Sequence, residues 1–327
     1  MKRIGILVAV ALALLTFCFV YWAGNAISLS GTPFLVEIKP GSLASVIRQI
    51  NQQGVSVNAP LFKALVLLSG DGKRLKSGFY EVTAGETPRT LLDKLAKGAF
   101  KQEALTIVEG WTFRQMRSAI NAHPGLRHDT KDMTDAALIE KLGIDAKSGE
   151  GLFFPSTYLF GWGSSDMQIY RQAHKEMRSR LDARWNARAP GLPYKEPYEA
   201  LVMASIVEKE TGQPADRGKV SAVFVNRLRQ GMRLQTDPTV IYGMGENFDG
   251  NIRKKDLLTD TPYNTYTRGG LPPTPIALPG EASIKAALNP DDTRALYFVA
   301  RWDGSSEFSE TLSDHNRAVD KYQRRRP

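Results

Sequence analysis

The chain opens on an uninterrupted apolar run, Ile4 to Ala23, with Lys2 and Arg3 ahead of it and Tyr21 and Trp22 at its far end. About twenty apolar residues are enough to cross a bilayer as a helix, and aromatic side chains favour the interface where such a helix leaves the hydrocarbon. The pattern predicts one transmembrane helix over residues 4–24, residues 1–3 in the cytoplasm by the bias of positive charge, and the rest of the chain outside. Gly24-Asn25-Ala26 also offers small residues for signal-peptide cleavage, but the run is long for a signal sequence. A lipoprotein site is disfavoured too, because Phe17 precedes Cys18.

Beyond the run the pattern changes to short alternations. Val36 to Ser42, Tyr80 to Thr87 and Leu105 to Thr112 each read as a strand, a glycine turn and the start of a capped helix. Ile47, Leu91 and Met116 fall six residues past their glycines and begin the helical face. Thr112 and Gln115 have the spacing of a capping box. Strands and helices interleaved in this way predict a small α+β module over residues 34–100, followed by a larger mixed α+β domain over residues 101–327.

Asp129 to Lys147 reads as a polar helical connector, and Asp166 to Ala187 as a surface helix with Ile169, Ala173, Met177 and Leu181 on its inner face. Between them, Glu150 to Tyr158 crowds Phe153, Phe154 and Tyr158 about Pro155. Planar rings can stack on sugars, yet a cluster this tight is commoner in a core.

After Pro190-Gly191-Leu192-Pro193 breaks the chain, Pro197 opens a helix that is apolar on nearly every side and ends before Gly212. An unpaired buried charge is costly, so Glu208-Lys209-Glu210 at the end of this helix implies a carboxylate at a cleft edge. Leu201, Ala204, Ser205 and Glu208 share one face. Glu210 is rotated about 200° from Glu208 and points elsewhere, so the two do not form a catalytic pair. The expectation falls on Glu208, where the helix dipole and partial desolvation both favour the protonated acid that glycosidic cleavage requires. The plainer alternative is a helix-end carboxylate paired with a cation.

A second helix, Ala215 to Arg229, completes a helical hairpin, and Arg233 to Gly243 follows as a polar loop in which Asp237 and Pro238 make a turn. Thr259 to Gly280 lacks periodicity and carries five prolines, and a rigid loop of that length inside a compact domain is commonly functional. The candidate substrate-binding residues are Asn226, Gln235, Thr236, Asp237, Tyr242, Tyr263, Asn264 and Tyr266. The chain closes with a helix from Gly280 to Asn289, a strand hairpin about Asp303-Gly304, and a last helix opened by His315.

A net charge of +9 over 327 residues would suit nucleic acid, an acidic membrane surface or an anionic polymer. The positive residues are spread out, with only Arg324-Arg325-Arg326 in a run, and no zinc-finger spacing or P-loop accompanies them. Nucleic-acid binding is therefore not expected. Cys18 is the only cysteine and the four histidines show no metal-ligand spacing, so no disulfide, metal or cofactor is expected.

Four segments, EGLFFPSTY from Glu150, ASIVEKET from Ala204, NRLRQGMRLQTDPTVIYG from Asn226 and TPYNTYTRGGLPPTPI from Thr261, resemble in the same order the YceG-like family of endolytic murein transglycosylases. The likeness runs from about Val36 to the C-terminus. It implies an enzyme of the inner membrane with a periplasmic catalytic domain, which cuts the MurNAc-GlcNAc bond within peptidoglycan strands and leaves 1,6-anhydro-MurNAc ends. It also implies termination of nascent strands alongside peptidoglycan synthases, a LysM-like glycan-gripping module at residues 34–100, and a catalytic glutamate in the ASIVEKE segment, which is assigned to Glu208. Ser156 departs from the family pattern, which has an aspartate there, and this removes a carboxylate from that loop. With Asp237 assigned to a turn, a two-carboxylate hydrolase lacks its second member. The expected chemistry is that of one residue acting as acid and then as base. The alternatives are a hydrolytic muramidase and a non-catalytic glycan-binding scaffold of a cell-wall synthesis complex.

Overall fold

The computed structural model describes residues 2–29 and 33–324. Met1 of the expected cytoplasmic terminus and Arg325 and Arg326 of the basic run lie outside the described residues. The protein is mixed α+β and forms two compact units, the first made of residues 1–104, 124–127 and 159–164, the second of residues 105–123, 128–158 and 165–327.

In the first unit, α1 (Lys2–Gly24) is a helix long and apolar enough to span a membrane. Its last turn enters the fold: Ala23 and Ile27 are buried, Trp22 packs on the same core, and the Ile27 N–H donates to the Glu86 carbonyl at 2.7 Å. β1 (Phe34–Ile38) pairs antiparallel with β2 (Gly78–Val82), Val36 opposite Tyr80. α2 (Leu43–Gln52) packs on β1 and on α3 (Ala59–Ser69), and α4 (Pro88–Lys97) packs on β2 and α1. Ile47, Phe62, Tyr80 and Leu91 form the centre of this core.

The chain continues through β3 (Gln102–Thr106), α5 (Phe113–Ala122), β4 (Leu126–Arg127), α6 (Asp135–Lys141), β5 (Thr157–Gly161), β6 (Ser164–Ser165) and α7 (Asp166–Asn186). The repeated strand, glycine turn and capped helix is realised three times, with Ser42 capping α2, Thr87 capping α4 and Thr112 capping α5. The helix expected over 129–147 shrinks to α6. Thr130 is held in a turn because its N–H and hydroxyl both donate to the buried Asp166 carboxylate, and Thr134 caps the helix only afterwards. The ring of Phe153 stacks on Phe113 at 5.1 Å and meets Tyr170 edge-on, so the aromatic cluster is core.

α8 (Pro197–Glu210) is central to the second unit. Every residue from Ala200 to Val207 is buried, beneath α7, α9 (Arg217–Arg229), α10 (Asp237–Met244) and, beyond α11 (Lys254–Leu258), α12 (Glu281–Leu288). The stretch 233–243, expected as a loop, is helical from Asp237 onward. Proline has no N–H to lose at a helix start, so Pro238 begins α10 rather than breaking it, and Thr239 and Val240 turn inward. β7 (Tyr297–Ala300) and β8 (Ser306–Ser309) form the expected hairpin, followed by α13 (Leu312–Val319). His315 lies one turn into α13 instead of opening it, because Thr311 supplies the cap. Its ring stacks on Tyr297 at 5.2 Å.

Candidate active site

The last turn of α8 leaves the core, and its two glutamates go to different surroundings. Glu208 accepts a hydrogen bond from the N–H of Gly280, at the N-cap of α12, at 2.9 Å. Its aliphatic stem lies over Gly110, and the carboxyl of Glu109 occupies the space where a Cβ on Gly280 would stand, 1.9 Å from that position. Burial, and then the charge of Glu208, push the Glu109 carboxyl up, while Arg217 draws it down. Glu208 thus ties α8 to the start of α12.

Glu210 faces the 233–237 segment. Its carboxylate accepts the Thr236 hydroxyl, while the backbone of Thr236 is fixed by two buried hydroxyls: its N–H donates to Thr265 Oγ1 and its carbonyl accepts the Thr239 hydroxyl. The next residue, Asp237, is exposed and accepts the Tyr266 hydroxyl at 2.6 Å. Gln235 stands exposed at φ 51, an uncommon backbone for a residue with a side chain, and donates its N–H to the Thr265 carbonyl at 3.2 Å. On the other side, buried Arg227 fixes the same segment: Nη1 donates to the Leu234 carbonyl and Nε to the Leu296 carbonyl, each at 2.7 Å. Burial pushes the Glu210 carboxyl up and the charge of Asp237 adds to this, against the Thr236 hydrogen bond and Arg227. Burial, Asp237 and Glu210 together push the Tyr266 hydroxyl up as well.

The expected substrate residues therefore divide. Thr236, Asp237 and Tyr266 gather at Glu210, the glutamate that the helical-wheel argument sets aside, and Gln235 is the exposed neighbour of Thr236 in the same segment. On an α-helix the two glutamates are about 200° apart, and their carboxylates accept from different partners, the Gly280 N–H and the Thr236 hydroxyl. What the sequence alone does not indicate is which side of α8 the 233–237 segment occupies.

Tyr242 belongs to a second network. Its hydroxyl donates to Glu150 at 3.1 Å, its ring meets Tyr263 at 4.9 Å, and Tyr263 Oη is 2.9 Å from Thr274 Oγ1. Glu150, buried among these groups and accepting also the Phe113 N–H at 3.0 Å, is pushed up to about 7 by burial. Asn226 and Asn264 are structural. The amide of Asn226 donates to the Thr293 and Ala295 carbonyls, and that of Asn264 to the carbonyls of Asp256, Leu257 and Thr259. Among the described residues no group of three or more His, Cys, Asp or Glu could hold a metal ion.

Comparison with known proteins identifies the family. A profile of the YceG-like family matches residues 36–321. The endolytic murein transglycosylase of Bacillus subtilis is 32% identical over 320 residues, covering 90% of this chain and 86% of the relative. That of Streptococcus pneumoniae is 27% identical over 282 residues, covering 75% of this chain and 50% of the relative. The 2.6 Å crystal structure of a YceG-like protein from Listeria monocytogenes superposes with a TM-score of 0.53 at 32% identity, over 88% of this chain and all of that one. With the family profile covering nearly the whole of both units, the chain belongs to the YceG-like family.

Proposed function

We propose that this protein is a membrane-anchored endolytic lytic transglycosylase of peptidoglycan, and that Glu210 rather than Glu208 is its acid. The observation that carries the reading is the setting of Glu210: a half-buried carboxyl, hydrogen-bonded by Thr236 and under the influence of Asp237, with the Arg227 guanidinium turned to backbone carbonyls. Such a carboxyl keeps its proton to higher pH than a free one, which is what protonating a leaving oxygen requires. Glu208 is already engaged by the Gly280 N–H.

In the reaction, Glu210 gives its proton to the glycosidic oxygen as the bond from that oxygen to MurNAc C1 breaks. The resulting carboxylate takes the proton of the MurNAc C6 hydroxyl as that oxygen bonds to C1. The GlcNAc unit leaves with a free hydroxyl, MurNAc ends as a 1,6-anhydro sugar, Glu210 is protonated again, and no water is consumed. Gln235 and Tyr266 orient the sugar beside it. The reading also takes α1 through the inner membrane with Lys2 and Arg3 in the cytoplasm, and gives residues 34–100 a LysM-like glycan-holding role next to the nascent strands made by synthases.

The test is product analysis by mass spectrometry after the detergent-solubilised full chain is incubated with purified peptidoglycan. The parent and Glu208→Gln, whose amide oxygen can still accept the Gly280 N–H, should release anhydro-ended fragments. Glu210→Gln should release them about 10²-fold more slowly or less. An active Glu210→Gln overturns the assignment, and uptake of oxygen from labelled water into reducing ends makes the enzyme a muramidase.

A further inference from the structure

We infer that Asp237, held by the hydroxyl of Tyr266, is a positioning residue that keeps Glu210 protonated for its role as acid. The inference rests on the Glu210 assignment above. The geometry supplies the argument. Thr236 and Asp237 are consecutive at the start of α10, so the residue that bonds Glu210 directly sets the location of the second carboxylate. The Tyr266 hydroxyl then fixes the Asp237 side chain at 2.6 Å, and the backbone of Tyr266 is in turn gripped by Arg233, which donates to its carbonyl at 2.9 Å.

Charge balance points the same way. The groups facing Glu210 are Asp237 from α10, Arg227 from α9, the hydroxyl of Thr236 and, from the 259–280 loop, Tyr266. Arg227 and Asp237 oppose each other at Glu210, and burial, the largest influence there, favours the proton. Ionising both carboxylates would leave an uncompensated negative charge in a partly desolvated place, and like charges sharing a site resist that. Asp237 is the exposed member, reached by solvent and by the Tyr266 hydroxyl, while Glu210 is the less solvated one, whose carboxyl burial pushes up. The purely structural alternative is that Asp237 serves only as an acidic residue in the first turn of α10, where its charge complements the helix dipole.

The experiment is a pH profile of anhydro-product formation by the full chain in detergent. Removing the charge with Asp237→Asn should move the alkaline limb down by about one pH unit, whereas Asp237→Glu should leave it near that of the parent. Because Asp237 is exposed, raising the salt concentration should also lower the alkaline midpoint of the parent. This arm reads the same coupling without any variant that could misfold. An unmoved limb in Asp237→Asn with a lowered melting temperature, or a parent midpoint indifferent to salt, overturns the inference in favour of the helix-start role. An active Glu210→Gln overturns the assignment beneath it instead, whatever Asp237 does.

Discussion

At the scale of single residues, Glu150 shows how burial converts into a pH dependence. It is 3% exposed, makes no ion pair among the described residues, and accepts the Phe113 N–H and the Tyr242 hydroxyl, with the Gly151 backbone adding a further hydrogen bond. These hydrogen bonds favour the charged form, but desolvation outweighs them and pushes the carboxyl from 4.5 up to about 7. An acid raised on folding binds more protons in the native state between those two values, so its contribution to stability is complete below about pH 4.5. That contribution is lost as pH rises to about 7, and is flat beyond. At about 1.4 kcal/mol per pH unit the loss is on the order of 3 kcal/mol. Glu150→Gln keeps an acceptor for both donors and removes the titration. Denaturant midpoints at pH 5 and pH 8 should therefore differ less in the variant than in the parent. Equal slopes would mean that Glu150 is hydrated and does not titrate in this window. The sequence displays Glu150 at the head of an aromatic motif, but its burial depends on Tyr242, ninety-two residues later, which no local pattern announces.

At the scale of elements, Ser205 is the polar contact that joins α8 to the segment leading into α12. It is fully buried, donates to the Val202 carbonyl at 2.7 Å and accepts the Ile276 N–H at 2.9 Å. Ser205→Ala leaves a buried N–H without its acceptor, which costs about 1–3 kcal/mol. A melting temperature unchanged in this variant would show that the 276–280 segment docks by apolar contact alone. The segment also carries the Gly280 N–H that holds Glu208, so this junction fixes the start of α12 at two points. Elements of this kind were legible where their period was long. α7 and α8 follow the apolar spacing of the sequence, and the caps at Ser42, Thr87 and Thr112 fall where strand, glycine and hydroxyl succeed one another. α10 was not legible, because eight residues beginning Asp-Pro read equally well as a turn. The facing of Glu210 was not legible either. It is decided by Arg227, seven residues before Leu234, and by Thr265 and Tyr266 from a distant stretch of chain, which together tie down the 233–237 segment.

At the scale of the whole molecule, the membrane helix and the first unit are one piece rather than a body on a tether. Two residues separate the end of α1 from Ile27, which is already in the core. Ile27 also bonds the Glu86 carbonyl, and Leu29 bridges to Val55. Removing the chain up to residue 33 therefore subtracts more than an anchor. Re-exposing the site of a buried isoleucine costs about 2 kcal/mol, and the lost backbone hydrogen bond about 1 more. A fragment beginning at Asn25 retains both contacts, whereas one beginning at Phe34 has neither. Hydrogen exchange across β1 and β2 should report the first unit as less stable by about 3 kcal/mol in the shorter fragment. Equal protection in the two would show that Ile27 is peripheral and that the junction is slack. The distinction bears on the proposed function: if α1 spans the membrane and the first unit holds glycan, a rigid junction would keep that glycan close to the membrane. A slack one would let the same unit sample strands deeper in the wall.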